Sequence, residues 1–598
     1  DRVSCEAARG CPHRCRFCQA TGVYFPFRIK SPSFLAGKML NSLRLTGYED
    51  ASLSALSISD YPYLDETVKA LMGELEKNKV SLSLSSLRPK GLSPEVADTI
   101  VKVRKTGFTL VPEAGTERLR RVINKPLTDQ DIWDALSQAF SRGWRLVKLY
   151  FMIGLPTEKE EDLLGIIALV RETLRLGQKI LGSPPRINLS VSSFIPKPHT
   201  PFQWLGMEDE DVLLEKQDLI RSELRRQRTV EIKEHPVSTS VLEGVFSRGD
   251  RKLGEAIREA WKRGARFDSW KDELDVNAWK DAFQAAGIDY RSYLGPIDRR
   301  AELPWDIIDA GIKKSALLGE LDKALSAEPT PSCLEAKCGD CRGCRLSKKM
   351  DRVFEEPVRV PRMKAADLGR ASGRVVRYRA IYEKRKQTRY LSHRDLIRIL
   401  QRSFRRAGVP LLQSQGFHPQ PLISYGPALP LGMEGKREVL EFKSPALFDE
   451  AVFAARVNKC LPSGIRFLRL EKLDDSAPAL SRVLDRFVYS VKLRDLSLRA
   501  AAGKNAGSAS PPGESRRGRI QELVDGFSAE RAAGVELTVD RKKGALRLSI
   551  KNTMGKNPRP QDIVTELFGI EGAVHILSRE DILLKGPGRS AGEGDLQP

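Results

Sequence analysis

Gly10-Cys11-Pro12-His13-Arg14-Cys15-Arg16-Phe17-Cys18 is the stretch on which the reading of this chain turns. Its three cysteines, spaced C-x3-C-x2-C, follow directly on a strand expected over residues 2–7. Three soft thiolates this close can hold three irons of a cubane and leave the fourth without a protein ligand. An open iron separates a reactive cluster from a plain electron carrier. Zinc also takes thiolates, but three are one short of a closed tetrahedral site, so Cys5 or His13 would have to supply the fourth. His13 reads as a neighbour that tunes the centre rather than as a ligand.

Outward from this loop, short β-rich runs alternate with longer helical patterns as far as residue 205. Strands are expected at 2–7, 51–57, 80–86, 107–112, 146–153 and 187–194, and helices over much of 63–78, 92–103, 127–142 and 159–179. Alternation of this kind makes a parallel sheet with right-handed helical crossovers, and it gathers the loops at the strand C-terminal ends on one face. Chemistry belongs on that face.

The chain has 598 residues, too many for one core, and at roughly 150 residues per domain it divides into about four units. Lys and Arg number 100 against 78 Asp and Glu, a net charge of +22 that suits an anionic partner such as RNA, acidic lipid or a phosphorylated substrate. With 41% hydrophobic and 30% charged residues it is not a disordered chain. No run approaches the 18 to 20 apolar residues of a membrane span, so the expectation is a cytoplasmic protein without membrane partners. The start at Asp1 reads as a cut in a longer chain. Eight of nine cysteines fall into two tight groups, which favours metal binding by reduced thiolates over a disulfide scaffold; Cys460 stands alone and is expected to be buried filler.

The C-x3-C-x2-C spacing with Phe17 before its last cysteine resembles the signature of radical S-adenosylmethionine (radical SAM) enzymes. The resemblance implies that residues 1–205 form a partial six-stranded (β/α)6 barrel. It implies a [4Fe-4S] cluster on Cys11, Cys15 and Cys18, with the amine and carboxylate of SAM chelating the open iron. Such enzymes cleave SAM reductively to a 5'-deoxyadenosyl radical, which takes a hydrogen from substrate, and a donor protein such as flavodoxin or ferredoxin supplies the electron. In similar enzymes the loops after strands two, four and five embrace SAM. Here these are Ser57-Ile58-Ser59-Asp60-Tyr61, Pro112-Glu113-Ala114-Gly115-Thr116-Glu117-Arg118 and Gly154-Leu155-Pro156-Thr157-Glu158. Phe17, Ser59, Glu113, Glu117, Gly154 and Pro156 are the cofactor-binding candidates. The usual Gly-Gly-Glu after strand two is replaced by the Ser-Asp-Tyr segment. Glu117 has a plainer reading as an acid favoured at a helix start, and Gly154-Leu155-Pro156 as a strand-ending turn.

Residues 206–330 turn helical and charged, and Trp261, Phe267, Trp270 and Trp279 are expected to fill helix interfaces in a linking subdomain. A connector over 331–370 holds Cys333, Cys338, Cys341 and Cys344 in a C-x4-C-x2-C-x2-C pattern. Four thiolates suit a structural zinc or a fully ligated second [4Fe-4S] cluster equally. Leu303-Pro304-Trp305-Asp306, Arg248-Gly249-Asp250 and Gly264-Ala265-Arg266-Phe267-Asp268-Ser269-Trp270 resemble an uncharacterised subfamily of B12-binding-type radical SAM proteins. Its members usually carry an upstream B12 domain, so cobalamin is implied only where that domain is present.

A separate α+β domain is expected over 371–584, with a flexible Gly/Ser/Ala/Pro-rich insertion over 500–519 and a disordered tail over 585–598. Tyr390-Leu391-Ser392-His393-Arg394-Asp395-Leu396 and Ser414-Gln415-Gly416-Phe417-His418-Pro419-Gln420-Pro421 resemble a domain of unknown function that accompanies radical SAM proteins. Ser392 is expected to cap a helix over 393–407. Between Ala371 and Pro410 twelve Lys or Arg face only Glu383 and Asp395, and Tyr378, Tyr390 and Phe404 could stack on bases of an RNA partner. His393, Arg394 and His418 are candidates for a shared surface site. Methylation or thiolation of an RNA base is the reaction the resemblance suggests; a metal-stabilised RNA-binding or scaffold protein without turnover is the alternative.

Overall fold

The computed structural model describes residues 2–84, 107–125, 127–270, 272–335, 358–361, 368–415, 419–496, 516–530, 534–540, 542–553, 557–568 and 573–585. The chain divides into two compact units, residues 1–42 with 49–362, and residues 43–48 with 363–598.

In the first unit, β1 (Val3–Glu6), β2 (Asp50–Ser54) and β3 (Ser81–Leu84) form one parallel sheet in that order. A second parallel sheet runs β4 (Phe108–Glu113), β5 (Leu146–Ile153), β6 (Arg186–Ser193) and β7 (Val230–Glu234). The alternation in β5 shows why it is a strand: Val147, Leu149, Phe151 and Ile153 point into the core. Helix Glu160–Leu181 covers them with Ile166, Ile167 and Val170. Each such aliphatic side chain, once fully buried, contributes on the order of 1.5–3 kcal/mol. Helix Asp129–Ser141 starts at a capping box between Thr128 and Asp131.

All six expected strands and the helices at 63–78, 127–142 and 159–179 are found; the helix expected at 92–103 lies outside the described residues. The six-stranded expectation needs one correction, because β7 is a seventh parallel strand inside the region read as helical. It pairs with Ile187–Val191 of β6. Val230-Glu231-Ile232-Lys233-Glu234 has only two apolar residues among charges, so its period of two is easily lost among charged helices.

The remainder of this unit is helical, at Glu210–Leu224, Val237–Arg248, Leu253–Lys262, Val276–Ala285 and Lys314–Leu325. Of the four aromatics expected in its interfaces only Trp279 is buried, whereas Trp261, Phe267 and Trp270 are 58%, 73% and 68% exposed. Phe267 and Trp270 lie between helices, where helical spacing no longer decides which way a side chain faces.

The second unit is one eight-stranded sheet built from two halves of the same plan. The first runs strand Arg370–Lys384, helix His393–Ala407, strands Ile423–Tyr425 and Glu434–Leu447, helix Glu450–Asn458 and strand Ile465–Leu473. The second runs strand Leu484–Lys492, helix Arg516–Glu530, strands Val535–Asp540 and Ala545–Lys551, helix Pro560–Phe568 and strand Leu577–Leu584. With four strands numbered in chain order, each half is antiparallel in the spatial order 4-1-3-2, a tandem of ferredoxin-like βαββαβ units. They join where Glu434 and Gly435 pair in parallel with Ser578 and Arg579.

Beside that junction Arg579 and Glu438, both buried, form a two-pronged ion pair, with Nε donating to Oε1 at 2.8 Å. Helix His393–Ala407 begins and ends as expected: Ser392 Oγ accepts from Asp395 N at 3.1 Å, and Gly408 closes it with φ 74°. Tyr378 and Phe404 sit in the core of the first half, so neither can stack on a base. Tyr390 alone of the three is exposed. Helix Arg516–Glu530 begins within the stretch expected to be flexible, while 500–515 and 586–598 lie outside the described residues. Cys460 is half-buried at the edge of the core rather than enclosed.

Candidate functional site

The three-cysteine loop follows β1 and the two-residue pairing of Ala8–Arg9 with Arg28–Ile29. It ends at Cys18, which precedes the short helix Gln19–Val23. None of the described cysteines is in a disulfide. Burial raises the Cys18 thiol above its ordinary pKa, and repulsion from Cys15 adds to this; backbone N–H groups of Ala20 and Thr21 offset part of it. With Cys15 buried, Cys18 half-buried and Cys18 N donating to Cys15 O at 3.1 Å, the two thiols of this turn fit an iron centre that would neutralise both thiolates. Among the described residues no three His, Cys, Asp or Glu side chains gather as ligands of a single metal ion would. A cubane requires less crowding, because each thiolate binds its own iron. Cys5 is a core residue of β1.

The loops at the strand C-terminal ends are tied to this loop and to one another. After β2, Asp60 Oδ2 lies 2.9 Å from His13 Nε2 and also accepts from Ser57 Oγ, so the Ser-Asp-Tyr segment reaches the cysteine loop through His13. Ser59 is half-buried in the same 3-10 turn, Ile58–Asp60. After β4, Glu113 faces Cys18 closely enough to raise its pKa, and Lys125 Nζ holds Glu113 Oε1 at 3.4 Å. Glu113 has φ 70°, a conformation rare outside glycine and a form of backbone strain that clusters at functional sites.

The β4 and β5 loops are joined by Arg118, whose guanidinium donates to Thr157 O at 2.8 Å and Thr157 Oγ1 at 3.1 Å and pairs with buried Asp162. Gly154 N donates to Glu158 Oε1 at 2.9 Å, which folds Gly154–Glu158 into a closed turn around Pro156. A Cβ on Gly115 would lie 2.1 Å from Asp162 O and 2.5 Å from Ile166 N, and one on Gly165 would lie 2.8 Å from Gly115 O. The β4 loop and helix Glu160–Leu181 therefore touch backbone to backbone. Gln19 Nε2 donates to Pro198 O at 3.3 Å, which brings in the segment after β6. Phe17 packs against the core cluster that includes Leu155 and Phe194.

Five of the sequence candidates, Phe17, Ser59, Glu113, Gly154 and Pro156, thus lie at these strand ends or in the loops that follow them. Glu117 occupies the first turn of helix Glu117–Val122, where Oε1 accepts from Asp129 N at 2.8 Å; its contacts are those of a helix start. Cys333 is described, whereas Cys338, Cys341, Cys344 and His418 lie outside the described residues. His393 is half-buried, with its pKa lowered by burial and by Lys384 and Arg579.

Sequence reasoning missed three residues. Asp60 is the first, although it is the only carboxylate in Ser57-Ile58-Ser59-Asp60-Tyr61. Arg16 lies between two cysteines yet is wholly buried, its side chain donating to Glu320 Oε2 at 3.1 Å, Arg121 O at 3.1 Å, Val122 O at 3.1 Å, Glu328 O at 2.8 Å and Thr330 Oγ1 at 3.1 Å. Asn124, also buried and at φ 53°, donates to Arg14 O at 3.0 Å. The Arg248-Gly249-Asp250 motif proves to hold a staple: buried Arg248, its pKa pushed down to about 10 by burial, donates to Leu205 O, Tyr293 O and Gly295 O.

Residues 6–170 match the family model of the radical SAM superfamily, and residues 377–557 match that of DUF2344, described as an uncharacterized protein conserved in bacteria. The uncharacterized protein MJ0966 of Methanocaldococcus jannaschii is 32% identical over 253 residues, 42% of this chain and 53% of that protein. The chain therefore spans about half the length of this curated relative. Among solved structures, the radical S-adenosylmethionine methyltransferase TsrM of Kitasatospora setae, with cobalamin and a [4Fe-4S] cluster bound, is 15% identical at a TM-score of 0.26, covering 32% of this chain and 36% of TsrM. HydG, a maturase of the [FeFe]-hydrogenase, is 9% identical at a TM-score of 0.24, covering 55% and 83%. At such scores neither likeness carries a structural argument.

Proposed function

From a chain that carries a radical SAM domain at residues 6–170 and a DUF2344 domain behind it, we propose that Cys11, Cys15 and Cys18 hold a [4Fe-4S] cluster whose open iron takes S-adenosylmethionine. The observation that carries this reading is the tight turn in which Cys18 N donates to Cys15 O at 3.1 Å, in a cysteine loop tied through His13 to Asp60 after β2 and through Gln19 to the segment after β6. When bound, the cluster supplies one electron to the sulfonium of SAM. The chain's own residues bind and orient. Glu113 and the Ser57–Asp60 turn supply carboxylate and hydroxyl acceptors for the methionine amine, Phe17 and the Gly154–Pro156 turn wall the adenine side, and His13 with Asp60 fixes the cysteine loop. Glu117 supports the helix start rather than the cofactor. A protein of the flavodoxin or ferredoxin class is the electron donor.

Anaerobic reconstitution with SAM and dithionite tests this proposal. Formation of 5'-deoxyadenosine supports it, and its absence from protein with a full iron complement rejects it.

The substrate reading rests on a different observation. Arg394, Arg398 and Arg406 stand exposed along helix His393–Ala407, with Arg405 half-buried beside them and Asp395 the sole acid. Such a stripe suits a phosphate backbone, and RNA is the proposed partner. If phosphates are the ligand, replacing Arg394, Arg398 and Arg406 by Glu weakens RNA binding and flattens its dependence on salt. Unchanged affinity and slope would reject RNA as the ligand of this helix.

A further inference from the structure

The chain around the cysteine loop carries charge of one sign. From Ala7 to Ser42 it holds Arg9, Arg14, Arg16, Arg28, Lys30 and Lys38 and neither Asp nor Glu. Arg14 and Arg16 turn inward to Glu320. Of the other four, Arg9, Arg28 and Lys38 are exposed and Lys30 is half-buried. Arg9 and Arg28 stand directly opposite each other in the pairing of Ala8–Arg9 with Arg28–Ile29, where like charges cost stability. Glu6 lies 2.9 Å from Arg9 and 3.2 Å from Lys30, but among the described residues Arg28 has no acidic partner.

Apolar side chains stand exposed among these cations: Val23 and Tyr24 at the end of helix Gln19–Val23, and Phe34 one turn before Lys38 on helix Pro32–Thr46. Aromatic groups and arginine are what protein interfaces concentrate, and a merely solvated face needs neither. The surface is also built in advance. Lys30 N donates to Ala7 O at 3.0 Å, and buried Tyr61 donates its hydroxyl to Lys30 O at 2.8 Å. A Cβ on Gly10 would lie 2.6 Å from Tyr24 O and 3.0 Å from Pro26 O, so the loop bearing Tyr24 rests on the residue before Cys11. Arg9 is two residues from Cys11, which holds their Cα atoms within about 7.6 Å. Gly22 and Phe25, on either side of Tyr24 in the chain, line a cleft together with buried Cys15.

We infer that Arg9, Arg28, Lys30 and Lys38, with Tyr24 and Phe34, form the docking face for a small acidic protein carrying a low-potential one-electron group, a flavin or an iron–sulfur cluster. Charge sets the partner's sign. Position sets its task, because the face lies against the cysteine loop itself and electron transfer weakens steeply with distance. The carrier loses one electron and the cluster on Cys11, Cys15 and Cys18 gains it, with no proton moved and no bond broken. An RNA strand would satisfy the cations, but it gains nothing from an aliphatic Val23 or from lying beside Cys11.

The inference rests on the reading of those cysteines as a cluster site, and its test keeps the two apart. Full-length protein is reconstituted without oxygen, and bleaching of its iron–sulfur absorbance is followed with reduced flavodoxin, with reduced ferredoxin and with dithionite alone, alongside equilibrium binding of each carrier. Arg9→Glu with Arg28→Glu should slow reduction by the better carrier about tenfold or more at low salt and remove most of its salt dependence. Tyr24→Ala should weaken carrier binding about fivefold. Both variants should keep wild-type iron and bleach to the wild-type extent with dithionite, which shows that the loop has folded. Should the double variant lose iron, Arg28→Glu alone is read in its place. The inference is overturned if carrier binding and reduction match wild type in these variants, if neither carrier reduces the wild-type protein, or if the substitutions release RNA while carrier reduction is unchanged. Carrier binding that depends on Arg28 in protein without iron–sulfur absorbance would reject the cluster and leave the docking face standing; dithionite bleaching with carriers indifferent to the variants would do the reverse.

Discussion

The two units place their charged groups in opposite ways. In the first, carboxylates and cations sit buried or half-buried near strand C-terminal ends, each joining one segment to the next: His13 with Asp60, Lys125 with Glu113, Arg118 with Asp162. In the second, Arg579 and Glu438 are sealed at the junction of two repeats, and the other notable charges line an exposed helix. The difference follows from strand direction. Parallel strands put all their C-terminal ends on one side, where loops can build a common rim. An antiparallel sheet alternates its ends and has no such side, so the second unit offers a seam and a surface instead.

The largest expected effect breaks the first unit's chemistry while sparing the second. Changing Cys11, Cys15 and Cys18 together to Ala should abolish SAM cleavage and remove the iron of that centre, with the unfolding transition of the DUF2344 unit unmoved. A shift of that transition would mean the units are not energetically separate. Next in size is the seam. Glu438→Gln strands a buried guanidinium and should cost about 3–5 kcal/mol in chemical denaturation, whereas Glu438→Leu with Arg579→Met should recover most of the loss. Equal losses in both variants would show that the pair is not what holds the repeats together.

A smaller effect concerns pH. The His393 pKa is lowered in the folded unit, chiefly by burial. The unfolded chain therefore takes up a proton first as pH falls through about 6.5, and stability present above that value declines below it. Denaturation midpoints measured between pH 8 and 5 should show the decline, and His393→Gln should flatten it. The smallest expected change is Ser392→Ala, which removes a helix cap and should cost about 1 kcal/mol. A loss several times larger would show that the Ser392 turn does more than begin a helix.

Most of the secondary structure was legible from periodicity, since alternating or helically spaced apolar residues have few other uses. β7 was not, because a five-residue edge strand rich in charge resembles its helical surroundings. Tyr378 and Phe404 were misread as candidate stacking groups for a related reason: composition counts aromatics, but only the register of Tyr378 with Phe442, and the packing of the helix residue Phe404 on Phe442 at 5.4 Å between ring centres, show that they face the core. In the candidate site, the cysteines could be picked out by type and spacing, and Glu113 only through the resemblance to radical SAM enzymes. Arg16 and Asn124 could not, because their partners lie between 100 and 320 residues away and an arginine among cysteines suggests solvent or charge before burial.

The contact between Gly115 and Gly165 bears on how a reactant could enter. With no side chain on either residue, there is no cushion that could compress between the β4 loop and the long helix behind it. Glu113 is thereby carried on a wall that cannot swing separately from its buttress. The Ser57–Asp60 turn, by contrast, meets the cysteine loop through side chains, His13 with Asp60, and so has a cushion that the glycine contact lacks.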